Sequence, residues 1–251
     1  MNNTLLKLAG IKQFKTNNLE MYSNHKILSL INKRLNSNFT SIQEVTTSEI
    51  YNDLRNNQSI QSLPWYSFTL DKDIDGFLKK YKNIKFNILD IGTGPGSQAI
   101  LLKKSGHNVV ASDISRGILR KARVEAKMAG IKISFRHDDI LNTTIREKFN
   151  LIIDRGCLHN VFYSKNHKGY VVSIVKLLEK GGFLLLKILS DKEQRHNPNI
   201  GNQSGPYRFK KKELIDFFGK NFKMLKFTNT YFEGSDLVPL KGKFIIFQKN
   251  N

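Results

Sequence analysis

Acidic residues that follow short apolar runs are the side chains best suited to chemistry in this sequence. They are Asp90, Asp113, the pair Asp138 and Asp139, and Asp154. The apolar runs alternate with helix-like segments, which predicts a parallel sheet with helices on both faces. In such sheets ligands bind outside the carboxyl ends of the strands, so these acids should surround one ligand site.

A glycine-rich loop follows Asp90 and should hold a ligand. Its glycines occupy alternate positions, Gly92, Gly94 and Gly96. Glycine is needed where the backbone has a positive φ, or where a ligand leaves no room for a Cβ atom. The spacing differs from the G-x-G-x-x-G loop of dinucleotide-binding proteins, whose third glycine would fall at Ser97. A carboxylate at Asp90 would repel a pyrophosphate, but it suits an ammonium group.

The later acids suit other parts of a nucleoside. Asp113 is placed to accept hydrogen bonds from ribose hydroxyls, whichever class of nucleotide-like ligand is bound. Asp138 and Asp139 follow the third apolar run and could bind the amino group of an adenine.

Composition limits the class of protein. The chain has 251 residues, 39% of them hydrophobic and 25% charged, which suits one substantial α/β domain with an appendage. It has neither an uncharged apolar run of about 20 residues nor a secretory signal pattern. The single cysteine, Cys157, fits a reducing compartment. We therefore expect a cytoplasmic protein without a membrane segment and, since no spaced His/Cys set occurs, without a metal site.

The sequence divides into an extension and a main domain. Residues 1–63 are rich in Asn and Ser and carry apolar residues at helical spacing, which predicts an N-terminal helical extension. Residues 64–251 form the predicted domain. Within it, the polar residues 191–207 should form a loop beside the site, and the last two strands should form an antiparallel pair.

One helix and strand in the main domain are predicted from a pair of glycines. A helix from about Lys168 to Glu179 should stop at Gly181 and Gly182. A fifth strand should then occupy Phe183 to Leu189.

The net charge of +20 favours a lysine-rich, solvated surface, because no Lys/Arg block is longer than the three residues from Lys210 to Lys212. Attraction of anionic substrates or RNA is the alternative interpretation.

The glycine loop and the acids after it resemble the class I methyltransferases that bind S-adenosylmethionine, over roughly residues 63–249. The resemblance implies a Rossmann-like, seven-stranded, mostly parallel sheet with helices on both faces and a C-terminal antiparallel hairpin. It also implies S-adenosylmethionine as cofactor, with its methionine end near the loop, its ribose near the second acid and its adenine near the third. The implied cofactor-binding residues are Asp90, Gly92, Thr93, Gly94, Gly96, Asp113, Ile114, Asp138, Asp139, Ile140 and Asp154.

A second set of residues resembles the small-molecule branch related to thiopurine and tellurite-resistance methyltransferases. It comprises the run from Asp154 to Asn160, the run from Leu177 to Lys187, Pro64-Trp65, and the run from Gly205 to Phe209. This resemblance implies a small-molecule acceptor with an O, N or S nucleophile. The implied substrate-binding residues are Trp65, His159, Asn160, Tyr207 and Arg208.

Asp154 and His159 are the catalytic candidates, because a hydroxyl or amine acceptor must lose a proton to a base. A thiolate acceptor needs no base. A lone histidine can equally cap a turn, so a structural role for His159 stays open.

Two other functions remain open. Lys187, Asp154 and Glu233 faintly resemble part of the lysine-aspartate-lysine-glutamate set of ribose 2′-O-methyltransferases, which would make RNA the acceptor. A nicotinamide-dependent oxidoreductase would use the same sheet, although Asp90 and the glycine spacing argue against it. The sequence names neither the methyl acceptor nor the oligomeric state.

Overall fold

The computed structural model describes residues 66–195, 205–233 and 239–251, together with Ser29. The predicted N-terminal extension and Trp65 lie outside the described residues, Ser29 apart. Among the described residues, no helix combines the length and the apolar character needed to cross a bilayer.

Seven strands form one sheet in the order β3-β2-β1-β4-β5-β7-β6. The first five strands pair in parallel, and β7 pairs antiparallel with both β5 and β6. The predicted parallel sheet with a final antiparallel pair is therefore confirmed. The strands are β1 Asn87–Ile91, β2 Asn108–Asp113, β3 Ser134–His137, β4 Phe149–Arg155, β5 Leu178–Leu189, β6 Phe222–Phe232 and β7 Leu240–Lys249.

Helices cover both faces of the sheet. On β4, Leu151 and Ile153 pack on one face with residues of α1, α2 and α3, while Ile152 packs on the other face with residues of α5 and α6. Burial on both faces explains why β4 is almost continuously apolar. The helices are α1 Lys72–Lys80, α2 Ser97–Lys104, α3 Arg116–Met128, α4 Leu158–Val161, α5 Lys168–Leu177 and α6 Lys211–Phe218, with short 3-10 turns at Ile140–Asn142 and Gly219–Asn221.

The fifth strand begins five residues earlier than the sequence predicts. The helix before it ends at Leu177, and Leu178 already pairs with Phe149 of β4. Leu178 is fully buried, so its side chain stabilises an extended start to β5. The two glycines that were expected to stop the helix lie inside the strand instead, next to an irregularity in the register between β4 and β5.

The strand order places the loops after β1 and β2 beside the loop after β4, at the carboxyl edge of the sheet. The chain reverses direction across the sheet between β1 and β4, and such a crevice is the usual ligand site of α/β sheets.

Candidate active site

The loop after β1 has the backbone that its glycines predict. Gly92, Gly94 and Gly96 have φ values of 62°, 56° and 81°. A Cβ atom on Gly92 would lie 2.8 Å from the Cβ atom of Cys157, and one on Gly96 would lie 3.1 Å from that of Ala122. Both conformation and packing therefore require glycine at the first and third of these positions.

Asp90 presents a buried carboxylate at the start of this loop. It accepts a hydrogen bond of 2.6 Å from the Thr93 hydroxyl. Burial raises the pKa of Asp90 to about 7, the negative charges of Asp154 and Asp113 act in the same direction, and the Thr93 hydrogen bond and Arg155 oppose them. A ligand cation at this carboxylate would favour its ionised form.

Asp113 ties the glycine loop to the end of β2. One carboxylate oxygen accepts a 2.9 Å bond from the Gly94 amide, and the other accepts a 2.8 Å bond from the Ser115 amide. Burial raises the pKa of Asp113 to about 6. Each oxygen keeps a lone pair that can accept a ribose hydroxyl. The next residue, Ile114, is 57% exposed and offers an apolar surface for the flat part of a ligand.

The two acids that follow β3 have different roles. Asp138 is buried and holds a turn, accepting bonds of 2.7 Å from the Thr143 hydroxyl and 2.8 Å from the Thr144 amide. Asp139 is less buried and caps the 3-10 turn through the Leu141 amide, at 2.9 Å. The side chain of Ile140 belongs to the hydrophobic core. Of these predicted adenine contacts, Asp139 and the backbone of Ile140 are therefore the ones still open to a ligand.

Helix α5 lies unusually close to this 3-10 turn. A Cβ atom on Gly169 would stand 2.1 Å from the carbonyl oxygen of Leu141. We expect Gly169→Ala to lower the free energy of unfolding by about 1–3 kcal/mol, because α5 and the turn must separate. Gly76→Ala in α1 is the matched control: its Cβ atom would meet nothing within 4 Å, so a gain of about 0.5–1 kcal/mol is expected. Urea denaturation measures both, and equal effects of the two substitutions would contradict the close packing.

The carboxylate of Asp154 is held by contacts within the protein. Its carboxylate is fully buried and accepts bonds from the Cys157 amide at 2.7 Å, the Leu158 amide at 2.9 Å and the Tyr170 hydroxyl at 2.6 Å. Burial raises its pKa to about 6, against these hydrogen bonds. These contacts give Asp154 a structural role, because its carboxylate anchors the start of α4. Its part in cofactor binding or catalysis stays a prediction.

His159 is also held by a contact within the protein. Its side chain is buried, and its Nδ1 atom accepts a 3.0 Å bond from the Leu189 amide. That bond leaves the proton of the neutral ring on Nε2. Burial, helped by the charge of Arg208, lowers the pKa of His159 to about 3. The structural role that the sequence left open for His159 is the one that the contacts support.

The predicted substrate residues near α4 are held by the protein itself. The Asn160 amide donates a 2.7 Å bond to the Gly156 carbonyl, and the Tyr207 hydroxyl donates a 2.9 Å bond to Glu213. Both side chains are half-buried. The Tyr207 ring lies 4.4 Å from that of Phe162, so its face contributes to an aromatic cluster.

Arg208, a predicted substrate-binding residue, is buried. It donates to the carbonyl oxygens of Pro206, of Arg195 at 3.0 Å and of Glu193 at 3.5 Å. These acceptors lie on both sides of residues 196–204 in the sequence. Arg208 therefore joins the two ends of the predicted loop.

A buried group of charges, which was not predicted from the sequence, lies at the same edge of the sheet. The Lys187 amine donates to Asp71 at 2.7 Å and to Asp73 at 2.8 Å, and Arg155 donates to Asp71 at 2.9 Å. Lys187 is thus not a free catalytic amine, and the carboxylate of Glu233 pairs with Lys72 at 2.7 Å. These ion pairs argue against a catalytic role for Lys187 and Glu233, two of the three residues that faintly resemble ribose 2′-O-methyltransferases. The sequence signal for this group was a basic residue near the end of each of two neighbouring strands, Arg155 in β4 and Lys187 in β5.

The comparisons with known proteins agree with this geometry. Residues 88–182 match the family model described as "Methyltransferase domain". The ubiquinone biosynthesis O-methyltransferase of Rickettsia canadensis is 25% identical over 122 residues, which are 48% of this chain and 50% of that protein. The chain thus spans about half the length of this relative. The tRNA 5-carboxymethoxyuridine methyltransferase of Escherichia coli is 25% identical over 183 residues, 70% of this chain and 67% of that protein.

A solved structure extends the match to the whole fold. The N-methyltransferase NodS of Bradyrhizobium japonicum, solved with S-adenosyl-L-homocysteine, superposes with a TM-score of 0.62 at 16% identity. The match covers 82% of this chain and 99% of that one. The small-molecule branch is consistent with these matches, which also include a tRNA-modifying enzyme. Residues 88–182 therefore carry a methyltransferase domain, and the fold around them is that of the class I S-adenosylmethionine-dependent methyltransferases.

Proposed function

We propose that the chain transfers a methyl group from S-adenosylmethionine to a small-molecule acceptor. The observation that carries the proposal is the pairing of Asp113 with the Gly94 amide, which joins the glycine loop to an acid at the point where a ribose would lie. In this proposal Asp90 and the loop hold the methionine end, Asp113 and Ile114 the ribose, and Asp139 with the Ile140 backbone the adenine.

The chemistry needs little covalent help from the protein. The acceptor's lone pair forms a bond to the methyl carbon while the bond from that carbon to sulfur breaks, and the sulfur leaves as a neutral thioether. The protein must align the three atoms and keep water away from them.

The contacts of Asp154 and His159 restrict the chemical class of the acceptor. Both side chains would have to give up backbone hydrogen bonds to take a proton. We therefore favour an acceptor whose nucleophilic atom already has a free lone pair, such as a thiolate, an ionised phenol or an unprotonated nitrogen. A reducing compartment, favoured by the single cysteine, makes the cytoplasm our proposed location.

His159→Asn tests the absence of a histidine base. An asparagine oxygen can accept the Leu189 amide bond in place of Nδ1, so the fold is retained. We expect kcat to stay within about ten-fold of the wild-type value with an unchanged pH profile, since loss of a general base would cost about 10²–10⁴-fold. A larger loss in a variant with normal thermal stability would restore His159 as the base.

RNA is the second candidate acceptor. The net charge of +20 and the match to a tRNA methyltransferase over 70% of the chain favour it. Charge alone would give binding that weakens steeply with salt and that ignores sequence.

One experiment separates the two acceptors. The protein is incubated with methyl-labelled S-adenosylmethionine and either fractionated metabolites or total RNA, at moderate salt. Label in a metabolite fraction supports our proposal, and label in RNA replaces it with the second candidate. Failure of S-adenosylhomocysteine to bind in a titration calorimeter would overturn both.

A further inference from the structure

Residues 69–71, called the 69–71 segment below, are held against the first turn of α2. The side chain of Gln98, a buried residue two positions after Gly96, makes both contacts. Its carbonyl oxygen accepts a 2.9 Å bond from the Asp71 amide, and its amide donates a 3.1 Å bond to the Thr69 carbonyl. The segment therefore lies next to the loop that we assign to the methionine end of the cofactor.

A buried ion network holds the same segment from the other side. The carboxylate of Asp71 contacts the Lys187 amine through both oxygens, at 2.8 and 2.7 Å, and the Arg155 guanidinium at 2.9 Å. Arg155 and Lys187 stand opposite each other in the register of β4 and β5. All three side chains are at least nine-tenths buried. The network thus connects the 69–71 segment to the carboxyl ends of the two central strands.

The network also joins the end of β6. Asp73 accepts a bond from Lys187 at 2.8 Å and one from the Thr230 hydroxyl, and Arg155 donates to the Glu233 carbonyl. The two cations balance the two carboxylates of Asp71 and Asp73. Buried ion pairs are weak contributors to stability compared with apolar residues of similar size, and their geometric specificity is the better-supported reason for keeping them. A lysine is otherwise out of place in β5, whose last six residues are all buried.

We propose that Lys187 and Arg155 are positioning residues for methyl transfer, which hold the 69–71 segment through Asp71 as a fixed wall beside the cofactor loop. The wall rests on the proposed function, since it assigns the loop to the cofactor. Neither cation touches the reacting atoms. Each acts through Asp71, and Gln98 transmits the position of Asp71 to the first turn of α2.

Hydrogen–deuterium exchange of the full-length protein tests the proposal with Lys187→Met, with and without S-adenosylhomocysteine. In the wild type we expect the Asp71 amide to be protected, and the ligand to increase protection across the 69–71 segment. In the variant, exchange of that amide should rise at least about ten-fold and the ligand-induced protection should disappear, while β1 and β4 amides keep their protection. Calorimetric affinity for S-adenosylhomocysteine should stay within about three-fold of the wild-type value, because the loop acids are intact.

Lys243→Met is the matched control. Lys243 is also a buried lysine of the sheet, but its amine contacts Asn229 at 2.7 Å and Asp191 at 3.6 Å. This control should leave exchange in the 69–71 segment unchanged. If Lys187→Met does not fold, Asp71→Asn removes the charge at constant shape and should give the same local loss.

Two results would overturn the positioning role. One is a folded Lys187→Met protein whose Asp71 amide exchanges as slowly as in the wild type. The other is a ligand-induced protection of the segment that persists in both variants. Failure of the wild type to bind S-adenosylhomocysteine would instead overturn the proposed function, and exchange in the ligand-free proteins would still show whether Lys187 holds the segment.

Discussion

Asp113→Ala should weaken the binding of S-adenosylhomocysteine at least about 100-fold, the loss expected for two hydrogen bonds to a charged group at about 1.5–3 kcal/mol each. The substitution removes the proposed acceptor of the ribose hydroxyls. It also releases the Gly94 and Ser115 amides, which Asp113 holds at 2.9 and 2.8 Å. Titration calorimetry at about pH 8 measures the effect, because Asp113, with a pKa of about 6, is then ionised.

Two variants make this result specific. Asp113→Asn keeps one oxygen acceptor and should give an intermediate loss of affinity. Asp216→Ala removes an exposed carboxylate of α6 that forms an ion pair with the exposed Lys212. This control should leave the affinity for S-adenosylhomocysteine unchanged. Wild-type affinity in Asp113→Ala would remove the acid after β2 from the cofactor site.

Asp90→Asn should make the ligand-free protein more stable near neutral pH while it abolishes cofactor binding. The pKa of Asp90 is raised from its ordinary value of 3.8 to about 7, so the folded protein binds this proton more tightly than the unfolded chain does. The stability that comes from the protonated carboxyl is fully present below the ordinary pKa of 3.8, falls as the pH rises, and is lost once the pH has passed about 7. An asparagine cannot ionise, and its oxygen can still accept the Thr93 hydroxyl bond.

Urea denaturation at two pH values measures the effect on stability, and titration calorimetry measures the effect on cofactor affinity. The stability advantage of the variant over the wild type should be larger at about pH 8 than at about pH 5.5 by on the order of 1–2 kcal/mol, because the wild type loses stability across this range. The comparison between variant and wild type cancels the other groups that titrate in this range. Equal stability differences at both pH values would show that folding does not raise the pKa of Asp90. Retained cofactor affinity in the variant would show that Asp90 does not bind the ammonium group.

The part of the site that sequence could predict is the part built from neighbouring residues. The alternate glycines indicated positive φ values, and Gly92, Gly94 and Gly96 have them. The acids after β1 and β2 indicated a site at the carboxyl edge of the sheet, and their carboxylates lie there within reach of the same loop.

The part that sequence could not predict depends on distant partners. The bond from the Tyr170 hydroxyl to the Asp154 carboxylate could not be predicted, because Tyr170 lies 16 residues further along the chain. The Leu189 amide on His159 comes from 30 residues away, and Lys187 meets Asp71 across 116 residues. Burial and saturation of a polar group are tertiary properties, and a strand-end acid has the same sequence pattern whether it is open or enclosed.

The contact between Gly92 and Cys157 bears on how the enzyme avoids methylating itself. A thiol packed against the loop that we assign to the sulfonium donor would compete with the true acceptor if it ionised, because the thiolate is the nucleophilic form. Burial, together with the negative charges of Asp154, Asp113, Asp139 and Asp90, raises the pKa of Cys157 well above its ordinary value. The acids that we assign to the donor therefore also hold the Cys157 thiol in its protonated, weakly nucleophilic form, which leaves the methyl group for the substrate.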